Sequence, residues 1–244
     1  MSERKVVKPY GNADRTKKEE VAEMFNNISK RYDFLNHFLS LGIDKIWRRK
    51  AVKELREIHP KRILDIATGT GDFALATLKV MPEEVVGMDI SEGMLEVGKV
   101  KMRKKKVDHI VSMQLGDSEN LPFEDNYFDA VTVGFGVRNF EDLEKGLSEM
   151  LRVIRPDGKA IILEFSKPKN FPIKQVFGFY SKYFIPFFGK NISKDEKAYA
   201  YLPESVQAFP EGEEFKSILK KVGYRKVESK LVSGGIATIY IGRK

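Results

Sequence analysis

From Arg62 onward, short apolar runs alternate with amphipathic stretches, and this rhythm limits the fold more than any other feature. Ile63-Leu64-Asp65-Ile66-Ala67, Val85–Ile90, Ile110–Leu115, Phe128–Val133 and Lys159–Phe165 read as strands of the buried type. Helical stretches stand between them: Asp72–Lys79, a segment holding Met94 and Leu95 with Ser91 placed to cap it, and Asp142–Val153. Alternation of this kind predicts a parallel, doubly wound sheet. Tyr224–Val232 and Ile236–Ile241 alternate around Ser233-Gly234-Gly235, which predicts a C-terminal antiparallel hairpin. The expectation is a Rossmann-like α/β fold whose mostly parallel sheet has seven strands.

Two helices precede the first strand. Val21, Phe25, Ile28, Tyr32, Leu35 and Phe38 step by three and four, Gly42 closes that helix, and Asp44 is placed to cap a second one reaching Ile58. Residues 18–60 thus form an N-terminal helical cap on a domain running to 244, and 1–17 read as a mobile tail. Residues 167–212 read as an insertion, and Arg155-Pro156-Asp157-Gly158 as a turn before the fifth strand.

The absence of Cys rules out disulfide scaffolds, thiolate metal sites and Cys nucleophiles, and three scattered His give no metal cluster. No apolar run approaches the roughly 18 residues of a membrane span, and no leader pattern opens the chain, so a cytoplasmic protein is expected. A net charge of +8 favours an anionic partner.

The loop Asp65-Ile66-Ala67-Thr68-Gly69-Thr70-Gly71-Asp72 joins the first strand to its helix. Its glycines let the backbone approach a ligand at the carboxyl end of the sheet. Alone, the spacing also suits dinucleotides. The charges favour another ligand: a pyrophosphate wants bare amides, and Asp65 and Asp72 would repel it. Carboxylates suit the ammonium and sulfonium of S-adenosylmethionine. Asp89 ends the second strand, where it can accept from both ribose hydroxyls of either ligand, and Gly116-Asp117-Ser118 follows the third, within reach of an adenine amino group. The cofactor set read from these segments is Asp65, Gly69, Thr70, Gly71, Asp89, Asp117 and Ser118, to which a family resemblance adds Gly134.

That set resembles the class I S-adenosylmethionine-dependent methyltransferases. Further segments resemble one branch, the ubiquinone/menaquinone biosynthesis C-methyltransferases: residues 24–36, Ser40–Asp44, Gly134-Phe135-Gly136-Val137-Arg138-Asn139, Leu163-Glu164-Phe165-Ser166-Lys167-Pro168, Tyr201–Val206 and Ser233–Ala237. Asp157 stands where that family usually has Gly, and Gly134 where it often has Ser, which removes a side-chain contact to the cofactor. The resemblance implies transfer of a methyl group from S-adenosylmethionine to a ring carbon of a polyprenylated quinol. Demethylmenaquinol is the expected acceptor, and the methoxybenzoquinol of ubiquinone synthesis the alternative.

Such a carbon becomes nucleophilic when the neighbouring hydroxyl, with a pKa of about 10, ionises. Arg138 is expected to stabilise the phenolate, with Asn139 orienting it. Arginine stays protonated, so water or a carboxylate must take the proton. Glu164, Asp33 and His37 are the candidates. Tyr32 serves as core or as a lid on the substrate.

Between Lys167 and Lys197 lie seven Lys and two acidic residues, with eight aromatics among them: Phe171, Phe177, Phe179, Tyr180, Tyr183, Phe184, Phe187 and Phe188. Rings at headgroup depth and ammonium groups on phosphate suit transient contact with the inner face of a membrane. A nucleic-acid methyltransferase is the rival reading, since it would share the cofactor fold and the basic charge. Against it, the fourth strand leads into Gly-Phe-Gly-Val-Arg-Asn, and no nucleic-acid partner is expected. A cofactor-binding protein without acceptor chemistry is a further rival, opposed by Arg138 and Glu164. Oligomeric state is open, a homodimer included.

Overall fold

The computed structural model describes residues 7–179 and 196–244, the side chains of 34–39 and 196–199 excepted. Helix α1 spans Lys17–Leu39 and α2 spans Ile43–Lys53. The described part of the N-terminal segment is not a free tail, which corrects the expectation for 7–17. Glu20, fully buried on α1, accepts from the backbone amides of Tyr10, Gly11 and Asn12 at 2.5, 3.0 and 2.7 Å. A buried carboxylate without partners is costly, and three amides stabilise this one. Residues 1–6 lie outside the described residues.

A second correction concerns Asp44. The N-cap of α2 is Gly42, at φ 73°, and Asp44 lies in the first turn. Its carboxylate accepts from Ser40 Oγ at 2.7 Å and pairs with Arg48 one turn on. The helix also ends earlier than expected, at Lys53, with a short 3-10 turn over Arg56–Ile58.

The strands are β1 (Arg62–Ile66), β2 (Glu84–Asp89), β3 (Val111–Leu115), β4 (Phe128–Gly134), β5 (Ile154–Phe165), β6 (Arg225–Val232) and β7 (Ala237–Arg243). Helices α3 (Asp72–Thr77), α4 (Glu92–Lys105) and α5 (Leu143–Val153) connect the first five, and α6 (Ile173–Phe179), α7 (Glu196–Ala208) and α8 (Glu213–Val222) follow β5. They form one seven-stranded sheet in the order β3-β2-β1-β4-β5-β7-β6. All neighbours are parallel except at β7, which runs antiparallel to both β5 and β6. The expected hairpin is therefore present, with its second strand inserted beside β5.

Helices cover both faces, which is why β4 is buried along almost its whole length. One core layer holds Phe128, Leu147, Met150, Phe215, Leu219 and Tyr240, and the other Trp47, Leu55, Phe73, Ala74, Met102 and Ile239. The order in which strands are added reverses between β1, which leads outward to β2 and β3, and β4, which leads the other way. In open α/β sheets the crevice beyond that point takes the ligand.

The stretch expected as a turn, Arg155–Gly158, is an irregular part of β5, where pairing with β4 skips between Phe128 and Ala130. Asp157 there has φ +65°, a conformation that glycine adopts without strain. Asp157→Gly should therefore raise stability by about 0.5–1 kcal/mol, read as a higher thermal midpoint. A lower midpoint would show that the Asp side chain holds the bulge.

Candidate active site

Two cavities open at the carboxyl ends of the strands. The first lies over the switch point and is lined by Ala67 and Gly69 after β1, Asp89 of β2, Asp117 and Ser118 after β3, and Gly134 of β4. Lys18, Val21, Phe25 and Tyr32 of α1 roof it. The free volume inside is about 70 Å³, because α1 sits close over it.

Asp89 organises its floor. One carboxylate oxygen accepts from Gly69 N at 2.7 Å and the other from Ser91 N at 2.8 Å, and burial pushes its pKa up. Ser91 caps α4 as expected, its hydroxyl accepting from Met94 N at 3.2 Å. Asp117 pairs with Lys18 at 2.5 Å. A side chain at Gly134 would bring its Cβ within 2.8 Å of Phe73, so the glycine gives Phe73 its place in the core.

Three expected cofactor residues stand behind this wall. Asp65 is fully buried and accepts from Thr68 Oγ1 at 2.5 Å, Thr132 Oγ1 at 2.6 Å and Ala74 N at 3.0 Å. It therefore braces the glycine loop from beneath. Burial pushes its pKa up to about 6, against the pull of these donors. The Thr70 hydroxyl donates to Asp33 and accepts from Lys101 Nζ at 2.8 Å. Gly71, at φ +85°, packs under Met102 and starts α3.

The second cavity, of about 510 Å³, is largely apolar. Trp47, Phe135, Phe165, Ile173, Tyr201 and Leu202 are among its lining residues, with Arg138 as a charged member. Phe25, Tyr32 and Phe135 line both cavities and so form the partition between them.

Arg138 lies after β4, in a 3-10 turn over Val137–Asn139. Its guanidinium donates to the Phe135 carbonyl, to Glu164 Oε1 at 2.9 Å and to Ser205 Oγ at 3.3 Å. It also lies over the Phe165 ring, 5.6 Å from the centroid. Glu164 is fully buried, and burial pushes its pKa up while Arg138 opposes the shift. It stands behind Arg138 and does not line the cavity. Asn139 lines the first cavity, and its side-chain oxygen accepts from Tyr201 Oη at 3.0 Å. Burial pushes the Tyr201 phenol to about 12, so it holds its proton.

Of the other base candidates, Asp33 is committed to Thr70 and to Lys101 at 2.5 Å, outside both cavities. The side chain of His37 lies outside the described residues, as do those of Tyr180, Tyr183, Phe184, Phe187 and Phe188. Among the described residues no His or carboxylate cluster could hold a metal ion.

Sequence reasoning missed Tyr201 and Ser205, which reach the site from more than 60 residues away. It also missed Trp47 and Arg48, which lie on a helix that reads as ordinary amphipathic surface. The clearest available signal was the single Trp, placed beside two Arg.

The sheet order, the glycine loop after β1 and the acidic strand ends define a class I S-adenosylmethionine-dependent methyltransferase fold. The family described as ubiE/COQ5 methyltransferase matches residues 13–244, and the chain belongs to it. A demethylmenaquinone methyltransferase of Bacteroides fragilis is 51% identical over 98% of this chain and 97% of its own. One from Porphyromonas gingivalis is 41% identical over 98% of each. The ubiquinone/menaquinone biosynthesis C-methyltransferase UbiE of Geotalea uraniireducens is 46% identical over 93% of this chain and 97% of its own. Among solved structures, a SAM-dependent methyltransferase of Thermotoga maritima, described as a possible histamine N-methyltransferase, superposes with a TM-score of 0.62. Its identity is 22%, over 91% of this chain and 99% of that one, and the likeness concerns the fold.

Proposed function

We propose that the enzyme methylates a ring carbon of demethylmenaquinol, with S-adenosylmethionine as donor. The carrying observation is the arrangement of Arg138, held by buried Glu164, in an apolar cavity that shares a wall with the cofactor cavity. The names of the relatives at 51% and 41% identity favour the naphthoquinol over the benzoquinol.

The first cavity suits the donor by its charge. Asp89, Asp117, Glu119 and Glu141 line it against one Lys, which repels a pyrophosphate and favours a cationic ligand. Asp89 would accept from the ribose hydroxyls, and Asp117 and Ser118 would meet the adenine. The Gly69 and Gly134 backbones would let the ligand lie close to the strand ends. The bound donor supplies an electrophilic methyl group on sulfur.

The protein's own residues do the rest. The second cavity takes the ring and the first part of the prenyl chain. Arg138 holds the ionising hydroxyl as its anion, next to the carbon that attacks. Glu164 neutralises Arg138 from behind and fixes its direction, so water takes the proton. Tyr201 holds Asn139 beside the partition.

Asp65 couples this site to pH. Its carboxylate carries a proton below about pH 6, and the bracing bonds from Thr68, Thr132 and Ala74 then weaken. Affinity for S-adenosylmethionine should fall as pH drops from 7.5 through 6, measured by calorimetry. The same group is a stability cost at neutral pH. Its pKa is higher folded than unfolded, so its stabilising contribution is full below about 3.8 and is lost as pH rises through about 6.

The reading includes contact with a membrane surface. Leu41, Phe171, Val176 and Phe179 are exposed, and Leu41 and Val176 also line the large cavity. Lys169 and Lys174 are exposed beside them. The protein should cosediment with anionic liposomes at low salt and dissociate at high salt. Recovery in the supernatant at low salt would remove this part.

The test of the reaction is transfer of labelled methyl groups in detergent micelles, comparing reduced demethylmenaquinone, its oxidised form and total RNA. Label in menaquinone from the reduced form alone is expected. Label in RNA and none in quinol would overturn the substrate.

A further inference from the structure

Arg48 is the second guanidinium in the wall of the large cavity, and the reaction as described does not use it. It is 8% exposed, and its Nε–H is buried with no acceptor. One terminal nitrogen pairs with Asp44 and lies 4.0 Å from Asp72. The charge is thus compensated while one buried donor is unmet, an arrangement that costs stability for the sake of a guanidinium in the cavity wall.

Its place relative to Arg138 suggests what binds. The Phe135 and Phe165 rings lie together, with centroids 4.4 Å apart. Arg48 lies over Phe135 at 5.8 Å, and Arg138 lies over Phe165 at 5.6 Å. Two guanidinium groups therefore flank one aromatic floor, both in the wall of the same cavity. A flat aromatic acceptor with oxygens at opposite ends would offer one oxygen to each of two guanidinium groups that lie over adjoining rings. We infer that Arg48 is a specificity-determining residue whose guanidinium donates to the acceptor's second ring oxygen, the one remote from the reacting carbon. The inference rests on the quinol reading of the cavity. Of the neighbouring charges, Asp44 and Asp72 are acceptors and Lys101 is held by Asp33, Asp72 and Thr70, while Lys167, also in the wall of the large cavity, donates to the Gln207 carbonyl at 3.2 Å.

The test compares two acceptors with the same short prenyl chain. One is a 1,4-dihydroxynaphthalene; the other keeps only the hydroxyl next to the reacting carbon. Deleting the second hydroxyl changes ring reactivity equally for every enzyme form, so the ratio of kcat/KM values between forms isolates the contact. Arg48→Met alone would strand Asp44, so it is combined with Asp44→Asn, which removes both charges together. Asp44→Asn alone keeps the guanidinium.

In the double variant, KM for the dihydroxy compound should rise about 10- to 100-fold while KM for the monohydroxy compound stays close to that of the unaltered enzyme. Asp44→Asn should keep the preference for the dihydroxy compound. Equal loss on both acceptors would reduce Arg48 to a structural residue and overturn the inference. Turnover of neither acceptor by the unaltered enzyme, with S-adenosylmethionine still bound in calorimetry, would overturn the quinol reading and the inference with it.

Discussion

Replacing Arg138 with Ala should lower kcat for methyl transfer by about 100- to 1000-fold while leaving the affinity for S-adenosylmethionine near its original value. The side chain lines the acceptor cavity and not the cofactor cavity, so only the acceptor's chemistry should feel its loss. The substitution also leaves Glu164, with no solvent exposure, lacking its counter-charge. Losing one member of a buried pair costs about 3–5 kcal/mol of stability. The same change drives the Glu164 pKa further up, so the carboxyl takes a proton and limits the damage. Arg138→Met with Glu164→Gln avoids the stranded charge, because Gln still accepts from the Phe165 amide, which bonds Glu164 Oε1 at 2.9 Å. A folded, cofactor-binding and inactive double variant would assign the loss to chemistry. Near-normal turnover by Arg138→Ala would end the phenolate proposal.

Asp89→Ala should act on the other cavity, weakening S-adenosylmethionine binding by about 100-fold or more. Two effects combine. The ligand loses a charged acceptor, worth about 1.5–3 kcal/mol per hydrogen bond. The amides of Gly69 and Ser91, held at 2.7 and 2.8 Å, lose their partner, and the glycine loop loosens. Asp89→Asn keeps one acceptor oxygen and the shape, so it should fall between the two. Calorimetric titration reads both variants, and binding within a few-fold of the unaltered enzyme would remove Asp89 from the cofactor site. Thermal midpoints separate the two effects, since a loosened loop lowers stability and a lost ligand contact does not.

Much of the fold was legible because the parallel strands are covered on both faces and so read as unbroken apolar runs with turn residues between them. The acidic residues closing successive strands pointed to the first cavity in the same local way, since each needs only its own strand end. Asp65 was legible as important, but its burial beneath the loop was not, because Thr132 lies on a different strand. The mistaken cap at Asp44 has a similar origin. An Asp at a helix start usually caps it, but Gly42 in the left-handed region had already ended the preceding turn. The segment before α1 carried no apolar periodicity, and it is fastened from within α1, by Glu20 on its amides, Glu23 on Arg15 and Asn27 on Tyr10. The acceptor cavity was least legible. It is assembled from α1, α2, α6, α7 and the ends of β4 and β5, so no single stretch of sequence displays it.

Helix α1 roofs the small cavity and supplies Phe25 and Tyr32 to the large one. It is fastened at both ends: Lys17 donates to the carbonyls of Arg138 and Phe140 at 2.9 and 2.8 Å, and Asp33 pairs with Lys101. Both cavities therefore have the same helix as a wall. If the two cavities hold donor and acceptor, displacement of α1 would open both together and couple release of either ligand to the same movement.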